Sequence, residues 1–166
     1  MVELTGRLSN PQLFDEINTV SHVSPDNERI QDAGLSVVAP RYSTKTVRPS
    51  TSYTNRLKQL ELGAGGTIKG PSGRSYTVMG EHLPGTIADY ELDHLISLQL
   101  GGNPEDPANL WMEPRERKGT HLASPGVGAE SKDVVEGRLH REVCKTGQLV
   151  LPQAQQEIAT NWMTAG

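Results

Sequence analysis

Tyr90-Glu-Leu-Asp-His-Leu-Ile-Ser-Leu-Gln-Leu-Gly-Gly-Asn103, followed closely by Asn109-Leu-Trp-Met-Glu-Pro114, is the stretch on which the reading of the whole chain turns. Its first nine residues alternate in a way that suits a strand covered on both faces. Leu92, His94, Ile96 and Leu98 share one side by period-two spacing, and Asp93, Leu95 and Ser97 share the other. An acid and an imidazole side by side in such a run are costly unless they are paired or bound to something. A Gly101-Gly102 turn follows, Asn103-Pro104 and Asp106-Pro107 keep the connection irregular, and Leu110-Trp-Met112 returns as the second arm of a hairpin that Pro114 ends.

Working outward toward the N-terminus, Thr51–Leu62 is predicted to be a helix. Thr51, Ser52 or Thr54 can cap it, Leu57 and Leu60 face inward, and Gly63 stops it. Residues 63–89 are rich in glycine and read as a loop holding one hairpin, with Thr67-Ile68 and Tyr76–Met79 as its strands. Further back, Pro11–Val20 is a helix candidate, Leu35–Ala39 a short strand, and residues 41–52 an extended connector.

Toward the C-terminus, residues 115–130 form a polar loop. A helix is predicted from Lys132 to Cys144, with Val135, Leu139 and Val143 on one face and Gly147 ending it. Lys132, Glu136 and His140 make a second line at i, i+4, i+8, with Asp133 beside Glu136. A last helix is predicted from about Pro152 to Trp162.

Composition narrows the function. The 166 residues suit one domain with an N-terminal arm. A net charge of -4 gives no support to a strongly basic nucleic-acid binder, so any phosphate contact must come from a local patch. The single cysteine, Cys144, allows no intrachain disulfide and no cysteine zinc site, and it reads as a small buried hydrophobe. No run is long and apolar enough to cross a membrane, and no signal peptide is visible. The expectation is a cytoplasmic protein, or a secreted one whose leader is already removed.

Taken together, a hairpin with Asp93-His94 on its first arm, Asn109 opening the second arm fifteen positions after His94, and a helix with Asp133, Glu136 and His140 resembles the ββα-metal module of the HNH endonucleases. The nearest likeness is to a small bacterial subgroup without zinc-ribbon cysteines. It rests on Ser52–Lys58, Tyr90–Ile96, Asn109–Trp111, Lys132–Glu136, Leu139–Cys144 and Ala154–Ile158, and covers roughly residues 47–163. Residues 1–46 are then an N-terminal arm, a candidate docking segment for a protein partner, and 47–166 a nuclease-like domain.

The resemblance implies an α+β fold with a ββα-metal core, extended by N-terminal segments and a C-terminal helix. It implies hydrolysis of phosphodiester bonds in nucleic acid, DNA before RNA, with one divalent ion, Mg²⁺ or Mn²⁺. His94 is the expected general base, since a neutral imidazole near its ordinary pKa of ~6.5 can take a proton from water. Asp93 and Asn109 are the expected metal ligands, and Asn109 can instead orient the base. Glu136 is the first choice to complete the site from the helix, with Asp133 and His140 behind it. Arg115, Arg117, Lys118 and Lys132 are the candidate phosphate contacts. Singly, each has a plainer reading: Asp93-His94 as a buried ion pair, Asn109 as a turn asparagine, Glu136, Asp133 and His140 as a solvated helix face. Two rival functions stay open, a catalytically silent binding module of this fold and the nuclease part of a larger defence or toxin assembly.

Overall fold

The computed structural model describes residues 43–116 and 123–166. The helix expected at 11–20, the strand at 35–39, most of the arm, Arg117 and Lys118 lie outside them. The described residues form an α+β fold of three helices and two small antiparallel sheets. No helix among them is long and apolar enough to cross a membrane.

Helix α1 spans Thr51–Leu62 as expected, but its cap is Ser50, whose hydroxyl accepts from the Tyr53 amide at 3.3 Å. Strand β1, Gly65–Lys69, pairs with β2, Ser75–Met79, so the glycine-rich segment does hold one hairpin. Tyr53, Leu57, Leu60, Ile68, Val78 and Leu110 form the first core cluster, with Tyr76 and Leu92 packed against it. Each such side chain contributes about 1.5–3 kcal/mol on burial.

Strand β3, Tyr90–His94, pairs with β4, Leu110–Pro114, with Asp93 opposite Trp111 and His94 opposite Leu110. The strand expected to continue to Leu98 ends at His94. Its continuation turns away because Ile96 and Leu100 belong to a different core, and Leu98–Leu100 form a short 3-10 turn. Asp93 and His94 therefore sit at the end of a hairpin, not inside a long strand.

Helix α2 runs from Ala129 to Arg141 and widens into a π-helical turn at Glu142–Thr146, which Gly147 closes at φ 66°. Cys144 sits in that turn and is half-buried, short of the buried position expected for it. Helix α3 spans Leu151–Asn161, with Pro152 in its first turn. Leu100, Leu139, Ala154, Ile158, Trp162 and Ala165 make the second core cluster. The Glu116 carboxylate accepts from the amides of Gly128 (2.7 Å) and Ser131 (3.2 Å), pinning the start of α2 to the end of β4. The open end of the β3–β4 hairpin, beyond Pro114, and the first turn of α2 are thus fixed against one another.

Candidate active site

The pleat of β3 and β4 sorts their side chains. Tyr90, Leu92, His94, Leu110 and Met112 share the face that meets the first core. Glu91, Asp93, Trp111 and Glu113 share the other, toward α2. Asp93 and His94 consequently diverge, as neighbours on a strand must.

The Lys132 ammonium is what gathers the α2 side. Its Nζ lies 2.6 Å from Asp93 Oδ2, 2.5 Å from Glu136 Oε1 and 2.8 Å from the His94 carbonyl oxygen. An ammonium has three donors, and here each has an acceptor. Lys132 is 0% exposed, so the side chain expected on a phosphate is inside the fold as half of a buried ion pair. Burial alone would lower its pKa, but Asp93 and Glu136 outweigh that and hold it above the ordinary lysine value. Burial likewise pushes Asp93 up, but the Lys132 charge, together with hydrogen bonds from Glu113, Lys132 and the His94 backbone, outweighs it and holds Asp93 below the ordinary carboxylate value.

Glu113 joins this cluster, and sequence reasoning passed it over. It is also 0% exposed. As a carboxylate, its two oxygens would have no donor among the described residues. Burial first, then the adjacent Asp93 carboxylate, pushes it up to about 10. Glu113 is therefore protonated at neutral pH, and its proton is the one donor it can offer Asp93. Burial also lifts Glu136, to about 7, against the pull of Lys132. The available signal for Glu113 was its place on β4, two residues from Trp111 and on the same face as Asp93.

The imidazole of His94 points elsewhere. Its Nε2 is 3.2 Å from the Pro104 carbonyl oxygen. A carbonyl only accepts, so Nε2 carries the proton and the lone pair of the neutral ring lies on Nδ1. Burial lowers the His94 pKa, and the positive charges of Arg48 and Lys132 lower it further, against Pro104 and Asp93. The ring is neutral at pH 7. Arg48 is exposed, sits outside every residue expected to contact substrate, and is close enough to act on this ring.

Asn109 has a different occupation from the one first expected of it. Its Oδ1 accepts from the Ile96 amide at 2.9 Å, and its Nδ2 donates to the carbonyls of Ile96 at 3.0 Å and Asn103 at 2.9 Å. Asn109 thus clasps the loop after β3, and its backbone carbonyl accepts from Leu95 at 2.8 Å. A Cβ at Gly102 would lie 1.8 Å from the Ile96 carbonyl oxygen and 2.8 Å from Asn109 Nδ2, so only glycine passes this clasp.

The other candidates spread out. Asp133 is exposed, and burial of its carboxyl followed by the Asp93 charge raises its pKa. His140 lies one turn beyond Glu136, and no hydrogen bond ties it to the cluster among the described residues. Arg115 is engaged with Glu91 at 2.8 Å and Glu130 at 3.6 Å. The carboxylates and carbonyl oxygen around Lys132 are the hard donors that Mg²⁺ or Mn²⁺ prefers, so the donor chemistry fits such an ion. The centre of that set is held by the Lys132 ammonium.

Comparison of the chain with family models, with curated proteins and with solved structures returned no match. The functional reading rests on the residues themselves.

Proposed function

We propose that this chain is a metal-dependent endonuclease of the HNH type, hydrolysing phosphodiester bonds of nucleic acid, DNA first, on a ββα-metal core made by β3, β4 and α2. The observation that carries it is the His94 imidazole: neutral, oriented through Nε2 by the Pro104 carbonyl, with its basic Nδ1 at the end of a hairpin whose opposite face carries an ionised Asp93. A fixed tautomer with a lowered pKa is what a general base needs to take a proton from an attacking water at neutral pH. Asp93 is the carboxylate that would hold a divalent ion, and such an ion would supply charge neutralisation at the phosphate and help for the leaving oxygen.

The chain's own residues divide the remaining work. Asn109 fixes the loop from Leu95 to Asn103 and so holds the Pro104 carbonyl where it orients His94. Arg48, exposed near the ring, is the cation placed to meet a phosphate, in the role first given to Lys132. The arm before residue 47 is proposed as the docking segment for a protein partner.

The test is incubation of the purified chain with supercoiled plasmid and with single-stranded RNA in Mg²⁺, Mn²⁺ or EDTA. Nicking that EDTA abolishes supports the reading. Intact substrate under every metal condition would refute the enzyme and leave the silent binding module.

A further inference from the structure

Charge is not spread evenly over the molecule. Residues 43–80, which hold α1 and the β1–β2 hairpin, carry six lysines and arginines against one acid, the buried Glu61. The described residues from 81 onward carry five against thirteen acids. A chain of net charge -4 thus has one half at +5. Such a surface draws a polyanion to one place on a protein whose overall charge repels it.

The basic half lies on the His94 side of the site. Leu92 packs against the core made by α1 and the β1–β2 hairpin, and His94 shares the Leu92 face of β3. Glu105 fixes the contact. Its buried carboxylate accepts from the Ser72 amide at 2.8 Å, the Ser72 hydroxyl and the Tyr76 hydroxyl at 2.9 Å, and its carbonyl accepts from the Tyr53 hydroxyl of α1. Its amide belongs to the same peptide unit as the Pro104 carbonyl that holds His94 Nε2, and donates to Asn103 Oδ1 at 3.0 Å. A Cβ at Gly70 would stand 3.0 Å from the Glu105 carboxyl, so the turn is seated against it at backbone range. The neighbouring acid, Asp106, accepts from the Ala108 amide at 2.9 Å. The tip of the first hairpin is thus locked to the peptide that orients His94. Two exposed cations flank that tip, Lys69 at the end of β1 and Arg74 just before β2. The Arg74 charge acts on Glu105, and the charge of exposed Arg48 reaches the His94 ring.

We propose that this basic half is the surface on which the sugar-phosphate backbone of a nucleic-acid strand lies as it enters the site, gripped by Arg48, Lys69 and Arg74. The tip of the β1–β2 hairpin sets the path of the strand, and Glu105 holds that tip in register with His94. This rests on the endonuclease reading above and adds where the substrate runs. Contacts to phosphate position a strand without reading its bases, so binding here is independent of sequence and strongly dependent on salt.

The experiment is fluorescence anisotropy of the intact chain with a labelled DNA duplex, over a range of salt and in EDTA, so that binding is read without cleavage. Lys69→Ala and Arg74→Ala are each expected to weaken binding equally for unrelated sequences and to reduce the salt slope by about one. Lys69→Glu is expected to weaken binding further than Lys69→Ala. Lys145→Ala, at an exposed cation of the acidic half, is expected to leave the slope unchanged. An unchanged slope in Lys69→Ala or in a folded Arg74→Ala overturns the proposal, as does an equal loss of slope in Lys145→Ala or a wild type that binds no DNA at low salt. If Arg74→Ala does not fold, the two Lys69 variants decide alone. Plasmid nicking in Mg²⁺ by the same proteins separates the two claims. Binding with the expected slopes and no nicking sinks the enzyme and spares the surface, whereas nicking with the slopes unmoved sinks the surface and spares the enzyme.

Discussion

The side-chain amide of Asn109 pairs with both backbone groups of Ile96, accepting from its N–H at 2.9 Å and donating to its carbonyl at 3.0 Å. The amide takes the place a strand residue would have held. The chain after His94 is thereby pulled out of the sheet, and Pro104 is brought under the imidazole. Asn109→Ala leaves three partly buried backbone groups without their partner and is expected to cost about 1–3 kcal/mol in urea unfolding. Its nicking rate is expected to fall even where the fold persists. Unchanged stability would contradict the clasp.

Glu113 is the acid whose charge state matters most to the α2 side of the site. Since the fold holds it neutral, Glu113→Gln replaces a carboxyl proton with an amide N–H of the same reach. Stability at pH 7 is expected to be equal or higher. A loss of more than about 2 kcal/mol, measured by denaturant unfolding, would show that Glu113 is ionised in the fold.

Glu105 supplies a pH dependence outside the Lys132 cluster, in the residue that follows Pro104. Burial alone would raise its pKa, but hydrogen bonds outweigh that and hold it below 4.5. They come from the Ser72 hydroxyl, the Ser72 amide at 2.8 Å and the Tyr76 hydroxyl at 2.9 Å. A depressed folded value means that this stabilisation is complete above the unfolded pKa and is lost as pH falls through the folded one. Glu105→Gln is therefore expected to be less stable than wild type at pH 7. It should also lose less stability between pH 5 and pH 3. Parallel acid slopes for the two proteins would contradict this.

Arg48 is an exposed cation whose charge reaches the His94 ring. Arg48→Ala is expected to leave folding stability within about 0.5 kcal/mol. It should weaken nucleic-acid binding uniformly across sequences and reduce the salt slope by about one. An unchanged slope in a salt-dependent binding assay would remove Arg48 from the interface.

Much of this architecture was legible in the residues. Periodicity and glycine placed α1, α2 and both hairpins, because those signals are local. The end of β3 was not legible. It is set by Ile96 and Leu100 joining a core built from α2 and α3, which local alternation cannot report. At the site, Asp93, His94 and Asn109 stood out by type and spacing. The i, i+4 spacing of Lys132 and Glu136 was visible, but their convergence on Asp93 depends on how α2 docks. Glu113 and Arg48 went unnoticed for the same reason: a strand glutamate and a connector arginine gain meaning only from what the fold places beside them.

The most direct test of the account is plasmid nicking under single-turnover conditions by wild type and His94→Ala, with folding of both checked by circular dichroism. Removal of a general base is expected to slow the reaction by about 10²–10⁴-fold with the fold intact. A folded His94→Ala that nicks as fast as wild type would contradict the role given to His94 and the site built around it.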